Sequence, residues 1–352
     1  MSNEWYHIPR QTKINAYTQV SEDMGMAPYA VEKDWWVVKI LSAIFEMEVG
    51  KSMVFKGGTS LSKAWGLIER FSEDIDLVLD RAFFGVEGEL TRSGMKALRK
   101  KTGKYIAGTF SSELELRLKE KGLIDISLNY IEPESSDADP AQVEIHYPYV
   151  TDYPGYILPR VLLEISCSSL KEPNAVQTFY SYLDEHYFES SFAEDPIDVP
   201  TAIPERTFLE KIFLLHEEFQ RPPERRRVDR LSRHLYDIYQ LLETEFATKA
   251  IKDKKLYETL VRHRFAFTRI GGVNYNLHQP QLINPIPKPE NTDAWEADYK
   301  TMQEQMIYGD SPSYDNIIKA ISDFTEKKIN KQEWKMDVEF PKPEDKTENT
   351  TK

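Results

Sequence analysis

Two aspartates at a spacing of two residues are the side chains of this sequence best suited to chemistry. Asp74 and Asp76 begin the run DIDLVL, whose polar and apolar alternation predicts a half-buried strand. Residues i and i+2 of a strand project from one face, so the two carboxylates would lie side by side. Their mutual repulsion is costly unless a cation neutralises it. Carboxylate oxygens suit Mg²⁺ (or Mn²⁺), and such a pair can hold ions for phosphoryl or nucleotidyl transfer; a solvated strand face is the alternative.

A glycine turn lies upstream of the aspartate pair. Gly57 and Gly58 follow a predicted strand over residues 52–55 and precede a brief predicted helix over residues 60–68. Paired glycines permit positive φ and close backbone approach, and N–H groups at a helix start can bind phosphate oxygens. A tight strand-to-helix turn is the alternative, because the run matches neither the P-loop nor the dinucleotide-binding fingerprint. Lys63 and Arg70 could reach phosphates or could lie exposed. The candidate nucleotide-binding residues here are Lys56, Gly57, Gly58, Thr59, Ser60 and Lys63.

The elements that must position these residues change in character along the chain. Periodicity predicts helices over residues 30–48 and 94–121, and strands over 124–130, 142–147 and 160–166. From about Pro204 the pattern is helical, with helices predicted over 207–219, 231–246, 252–265 and 314–329. We therefore predict an α/β (α+β) bilobed fold, with a mixed-sheet lobe over 1–200 and a helical lobe over 201–335. The polar residues 336–352 are predicted to form a disordered tail.

Composition narrows the class of protein. Hydrophobic residues form 40% of the 352 residues, which is enough for a packed core. The single Cys167 excludes an internal disulfide framework and favours a reducing, cytoplasmic setting. The N-terminal run has no apolar signal-peptide region, and the other apolar runs are too short to span a bilayer. No membrane partner is expected.

Charge is distributed unevenly along the chain. The formal net charge of −13 argues against a general affinity for nucleic acid. The segment from Arg221 to His234 nevertheless carries six arginines against two acids. Contacts to nucleotide or RNA phosphates are one interpretation, and salt bridges to neighbouring acids are the other. The candidate contact residues are Arg225, Arg226, Arg227, Arg230 and Arg233.

Three further residues lie on predicted helices of the second half. Lys211 has apolar neighbours, and it could place a positive charge near a polyphosphate or could snorkel from a buried face. Asp237 needs a partner if it is buried, and Lys211, Arg233 or a metal ion could serve. His216 has no second His or Cys at metal-binding spacing, so it is expected on the helix surface.

Five runs of the sequence together resemble the AbiEii/AbiGii abortive-infection toxins. This family belongs to the polymerase-β-like nucleotidyltransferase superfamily, and the MenT toxins are its relatives. The resemblance extends from about Val31 to Leu242, and the motifs occur in the family's order. The runs are Val31–Trp35, Phe55–Lys63, Glu69–Leu77, Arg206–His216 and Arg233–Tyr239.

The resemblance implies both an activity and roles for individual residues. It implies Mg²⁺-dependent transfer of a nucleotide from an NTP to an acceptor, which is tRNA in some relatives. It also implies growth arrest that a separately encoded antitoxin neutralises. Gly57, Gly58 and Ser60 would form the nucleotide-binding turn, and Asp74 and Asp76 would bind the metal. Lys211 would contact nucleotide phosphates, and Asp237 would be the motif aspartate of the following helix. Many members of the superfamily carry a third carboxylate on a later strand, for which Glu164 is the positional match.

Two other functions remain open from the residues themselves. The same site could modify a protein hydroxyl, as an AMP-transferring enzyme does, or the chain could be a nucleotide-binding regulator without turnover. The arginine-rich segment favours RNA, whereas the intact aspartate pair argues against a binder without catalysis. Together with the residues, the resemblance implies a cytoplasmic nucleotidyltransferase toxin of a toxin–antitoxin or phage-defence system that acts on the 3′ end of tRNA.

Overall fold

The chain divides into two compact units. The computed structural model describes residues 4–343, apart from residues 73, 89, 136–137, 154, 156 and 310. The first unit comprises Met1–Ile203 with Met306–Asp310, and the second comprises Pro204–Gln305 with Ser311–Lys352. The sequence prediction assigned residues 306–309 to the helical lobe, but they belong to the unit that contains the sheet.

The first unit is built around one mixed sheet, which has seven strands in the described part of the chain. The strand order is β3-β4-β5-β2-β1-β7-β6. The pairs β2/β5 and β1/β7 are parallel, and the other neighbours are antiparallel. The strands are β1 (Met53–Lys56), β2 (Asp74–Leu79), β3 (Ser127–Ile131), β4 (Ala141–His146), β5 (Arg160–Ser166), β6 (Asn174–Phe179) and β7 (Ile197–Ala202). The predicted mixed sheet is confirmed, although β6 and β7 were not predicted.

The two faces of this sheet differ in polarity because its central strands alternate. Ile75 and Leu77 of β2, with Leu163 and Ile165 of β5, are completely buried in the core. The intervening residues point to the opposite face, which carries polar and charged side chains near the middle of the sheet. The apolar face therefore fixes the register that aligns the polar face.

Helices cover the apolar face of the sheet and extend from its edges. Helix α3 contacts β5 and β7, and most of its residues are buried, as expected for a helix that is apolar nearly all round. The predicted helix over 94–121 is two helices joined by a π-helical turn over Ile106–Phe110. The helices of this unit are α1 (Glu4–His7), α2 (Arg10–Met24), α3 (Pro28–Glu46), α4 (Gly57–Thr59), α5 (Arg92–Tyr105), α6 (Ser111–Glu120) and α7 (Tyr182–His186).

The second unit is helical in its described part. Its helices are α8 (Pro204–Gln220), α9 (Ser232–Leu242), α10 (Glu245–Lys252), α11 (Lys254–Phe267), α12 (Thr292–Gln305) and α13 (Tyr314–Phe324). The predicted single helix over 231–246 is two helices, because the Thr244 side chain accepts the Phe246 N–H and caps a new start. No helix in the described ranges is long and apolar enough to cross a membrane.

The C-terminal segment differs from its prediction. Residues 336–343 were predicted to be part of a disordered tail, but Met336 and Phe340 are buried. The Phe340 N–H donates to the Asn276 side chain, whose Nδ2 donates back to the Phe340 carbonyl. Burial of these two apolar side chains attaches the segment to the second unit. Residues 344–352 lie outside the described residues.

Candidate active site

A row of polar side chains crosses the open face of the sheet at one register. Asp76 on β2 lies opposite Lys56 on β1 and Glu164 on β5, and Glu164 lies opposite Gln142 on β4. Asp74 projects from the same face two residues earlier. Directly opposed side chains of neighbouring strands have Cβ atoms about 4.5–5.5 Å apart, so the row forms a continuous polar strip.

The aspartate pair, and not a group of three acids, is the arrangement that could hold a metal ion. Among the described residues, no three His, Cys, Asp or Glu side chains are grouped so that they could bind one ion together. Gln142 Nε2 donates a 2.6 Å hydrogen bond to Glu164 Oε1, which directs this carboxylate towards β4. Glu164 lies next to the pair, and its role as a third metal ligand stays a prediction.

Gly57 allows the turn to lie directly against Asp76. Its φ is +81°, and a Cβ built on it would lie only 2.0 Å from Asp76 Oδ2. Both the backbone conformation and the close approach require glycine. Thr59 Oγ1 donates to the Asp74 carbonyl at 2.5 Å, and Ser60 Oγ donates to the Gly57 carbonyl at 2.9 Å. The turn is thus attached to the first residue of the strand that carries both aspartates.

Gly58 makes room for two side chains of the loop before β2. A Cβ on Gly58 would lie 2.5 Å from Arg70 Nη2 and 2.9 Å from Ser72 Oγ. Arg70 is only 2% exposed, which excludes the alternative of surface exposure. Sequence reasoning did not assign a role to Ser72, although it lies within one of the family-like runs. The second glycine therefore permits a guanidinium and a hydroxyl to pack against the turn.

Residues far along the chain support this loop. The Phe71 N–H donates to the Met306 carbonyl at 2.7 Å, and the Tyr308 N–H donates to the Glu69 carbonyl at 3.0 Å. A Cβ on Gly309 would lie 1.7 Å from Glu69 Oε2, so this position also needs glycine. We call residues 306–309 the returning segment, since they rejoin the first unit after α12.

Lys63 lies in a buried ion pair, which excludes the alternative of surface exposure, whereas its contact with nucleotide phosphate stays a prediction. Its Nζ lies 3.0 Å from Asp34 Oδ2 and 3.5 Å from the centre of the Tyr182 ring. Asp34 Oδ2 also accepts the Tyr182 N–H at 2.7 Å. Burial raises the pKa of Asp34 and lowers the pKa of Lys63, and each partner opposes the shift of the other. The pair joins α3 to the helical turn that follows the glycines.

The second unit contains the predicted lysine and aspartate as a second buried pair. Lys211 Nζ on α8 lies 2.8 Å from Asp237 Oδ2 on α9, and also 3.3 Å from His234 Nδ1. The side chains of the lysine and the aspartate are 7% and 0% exposed. Of the three partners considered for Asp237, the structure shows Lys211. The pair fixes the lysine ammonium at one position on α8.

The arginine-rich segment is largely occupied by contacts within the second unit. Arg226 Nη1 lies 2.6 Å from Glu290 Oε1, and Arg227 Nη2 lies 2.8 Å from Glu218 Oε2. Arg230 has a φ of +57°, and its backbone N–H donates to Asp298. Arg225 is exposed, and Arg233 is partly buried on α9. These contacts favour the salt-bridge interpretation for Arg226 and Arg227.

His216 was expected on the helix surface, but it is buried. The Asn284 N–H donates to its Nδ1 at 3.1 Å, and its ring packs edge-on against the His278 ring at 4.9 Å. Burial, with the nearby His278, lowers the pKa of His216 to about 3. Burial alone would raise the pKa of Glu217, but Arg264 and His278 outweigh it and lower that pKa to about 2. This cluster stabilises α8 against α11.

Comparison with known families identifies the chain. A family model for the nucleotidyl transferase AbiEii toxin of a type IV toxin–antitoxin system matches residues 39–327. The chain belongs to the AbiEii toxin family. This AbiEii protein is therefore a nucleotidyltransferase, and the resemblance of its motifs is confirmed. The match includes the glycine turn, the aspartate pair and the Lys211–Asp237 pair.

Two solved structures are similar to this AbiEii chain over most of its length. MenT4, a nucleotidyltransferase toxin from Mycobacterium tuberculosis, is 15% identical with a TM-score of 0.45, and the match covers 90% of this chain and 98% of that one. JHP933 from Helicobacter pylori is also 15% identical, with a TM-score of 0.42 and coverage of 87% and 95%. Similarity at this distance assigns no residue roles. Comparison with curated proteins gives no match.

Proposed function

We propose that this AbiEii nucleotidyltransferase transfers an NMP from an NTP to the 3′ end of an RNA, with tRNA as its acceptor. The observation that carries the proposal is the contact between the glycine turn and the aspartate pair. Asp76 lies against Gly57, and Thr59 is bonded to Asp74, so a nucleotide-binding turn and two carboxylates form one local unit. An NTP and a divalent ion are the ligands that such a unit suits.

Asp74 and Asp76 fit the divalent ion that this chemistry requires. They provide hard oxygen ligands on one strand face, and Mg²⁺ is commonly held by one or two carboxylates together with substrate phosphates. Both aspartates are only partly buried, so an ion can reach their carboxylates from the open face of the sheet. When bound, Mg²⁺ or Mn²⁺ would neutralise phosphate charge and polarise the reacting oxygens. Glu164 is proposed as an outer residue that supports the pair.

The chain's own cations complete the proposal. Lys56 lies directly across from Asp76 and places a positive charge beside the pair. Lys211 would bind the triphosphate, and Asp237 would act as a positioning residue by holding its ammonium group. These groups bind and orient phosphate, which is the main contribution that a protein makes to nucleotidyl transfer. An antitoxin would control the activity, as the type IV family implies.

Transfer of an α-³²P label tests this function. The full-length protein is incubated with each labelled NTP, Mg²⁺ and either total RNA or lysate, and the products are separated by class. We expect label in RNA of tRNA size, and loss of that label in Asp76→Asn. The matched control is Asp198→Asn, which alters an exposed aspartate of β7 in the same sheet and should transfer as the parent does. Label in protein alone would show a protein acceptor, and label in neither class would refute transfer.

A further inference from the structure

Helix α5 carries a concentration of positive charge that the acidic total conceals. Its sequence, RSGMKALRKKTGKY, has six lysines and arginines and no acid. Four of them, Arg92, Lys96, Lys100 and Lys104, are spaced four residues apart and are all exposed. Side chains at this spacing lie on one side of a helix, so they form a single stripe along α5. We call these four residues the α5 stripe.

The stripe opposes the stability of its own helix. Like charges four residues apart repel, and a cation in the first turn opposes the positive end of the helix dipole. Within the described ranges, Arg92, Lys100 and Lys104 form no ion pair with a carboxylate. Exposed lysines elsewhere in the chain do form ion pairs; Lys119, for example, pairs with Glu115 four residues away on α6. These three members of the α5 stripe therefore lack the local neutralisation that is usual in this chain.

The stripe is connected to the strand that carries Glu164. Arg99 Nε, on the inner side of α5, donates to Ser168 Oγ at 3.0 Å. Ser168 lies two residues beyond the end of β5 and four residues beyond Glu164. Four residues of fully extended chain span at most about 14 Å, so the anchor of α5 lies within that distance of Glu164. The helix and the polar strip are thus parts of one unit of the protein.

We propose that the α5 stripe is the surface that binds the phosphate backbone of the acceptor RNA. The proposal rests on the RNA acceptor proposed above. The stripe from Arg92 to Lys104 is about 18 Å long, which is enough to contact several successive phosphates of one strand. The arginine-rich segment is less suited to this role, because Arg226 and Arg227 already pair with carboxylates. Backbone contacts of this kind position RNA without reading its sequence.

Salt dependence of tRNA binding tests the stripe. Affinity of the full-length protein for bulk tRNA is measured between 50 and 200 mM KCl for the parent and for the quadruple variant Arg92→Gln, Lys96→Gln, Lys100→Gln and Lys104→Gln. The slope of log K against log salt is negative, and each lost phosphate contact makes it shallower by about 0.7–0.9. Loss of four contacts should therefore reduce its magnitude by roughly 3. The double variant Lys100→Gln and Lys104→Gln should show about half of that change. It serves as the test if thermal unfolding shows that the quadruple variant is not folded.

A matched control separates the stripe from net charge. The control variant replaces four other exposed lysines with glutamine and so changes net charge equally: Lys51, Lys119, Lys249 and Lys327. We expect its slope to equal that of the parent. Equal slopes for the stripe and control variants would overturn the proposal, as would a parent that binds anionic phosphatidylserine vesicles but not tRNA. If the parent labels RNA while the stripe variants bind as the control does, the surface is wrong and the proposed function stands. If the stripe variants lose tRNA binding while the parent labels only protein, the surface stands and the proposed acceptor is wrong.

Discussion

Substitution of Gly57 by alanine should slow transfer about 100-fold with only a modest loss of stability. The glycine has a φ of +81°, where an alanine costs about 1–2 kcal/mol. Its new Cβ would lie 2.0 Å from Asp76 Oδ2, whereas real Cβ contacts shorter than 3.0 Å are essentially not found. The carboxylate or the turn must therefore move by about 1 Å. A displacement of that size at a reacting centre costs on the order of 100-fold in rate.

Gly66→Ala provides a control that separates strain from displacement. Gly66 has a φ of +61°, and a Cβ built on it would meet nothing within 4 Å. The strain should be similar, with a fall in melting temperature of about 2–4 °C for each kcal/mol. Label transfer and thermal unfolding are measured for both variants and the parent. If Gly57→Ala retains a transfer rate within threefold of Gly66→Ala, the contact with Asp76 does not position the carboxylate and the reasoning fails.

Three further predictions concern the buried charges. Lys63→Met should lower the free energy of unfolding by about 3–5 kcal/mol, because it leaves Asp34 buried without its ion-pair partner. Adding Asp34→Leu should recover most of this loss, as measured by denaturant titration. If Lys63 instead binds phosphate, the double variant will be stable but defective in NTP binding. Lys211→Met should lower the free energy of unfolding by a similar amount, and adding Asp237→Leu should restore stability but not transfer. If the double variant transfers label as the parent does, Lys211 is not part of the proposed site. The pKa of His216 is about 6.5 in the unfolded chain and about 3 in the folded chain, so between these values only the unfolded chain is protonated. The free energy of unfolding should therefore fall by up to about 1.4 kcal/mol for each unit that the pH falls through this window. His216→Asn should flatten the fall in unfolding midpoint between pH 6.5 and 4.5, whereas the exposed control His7→Asn should leave the fall unchanged.

The central strands were predictable because their own residues determine them. The predicted bounds of β2 and β5 agree with the structure, since both strands alternate between the core and the open face. Strand β7 was missed because Pro200 argues against an internal strand. The structure accommodates Pro200 because β7 pairs with β1 only at Thr201. The missing N–H of Pro200 therefore costs little of the hydrogen bonding between β7 and β1. The alternation of polar and apolar residues thus predicts a strand, but a single residue such as Pro200 can conceal one.

The environments of the site residues were less predictable because they depend on distant partners. Lys63 is buried because Asp34 lies beneath it, and His216 is buried because Asn284 and His278 fold over α8. No local periodicity reports a partner 29 or 68 residues away. The charge of α5, in contrast, is visible in the sequence as six cations without an acid, although only the arginine-rich segment was predicted to contact RNA. The placement of Asp74 and Asp76 side by side does not depend on a distant residue, so it followed from strand geometry alone.

The returning segment has a consequence for how the toxin is made in the cell. The loop that packs against Gly58 is bonded to Met306 and Tyr308, so it cannot be completed by residues 1–203. A ribosome adds about 5–20 residues per second, so the last hundred residues before this segment take roughly 5–20 seconds to emerge. During that interval the glycine turn and the aspartates exist without their support. A chain that stops before the returning segment therefore lacks the hydrogen bonds that support the loop against Gly58.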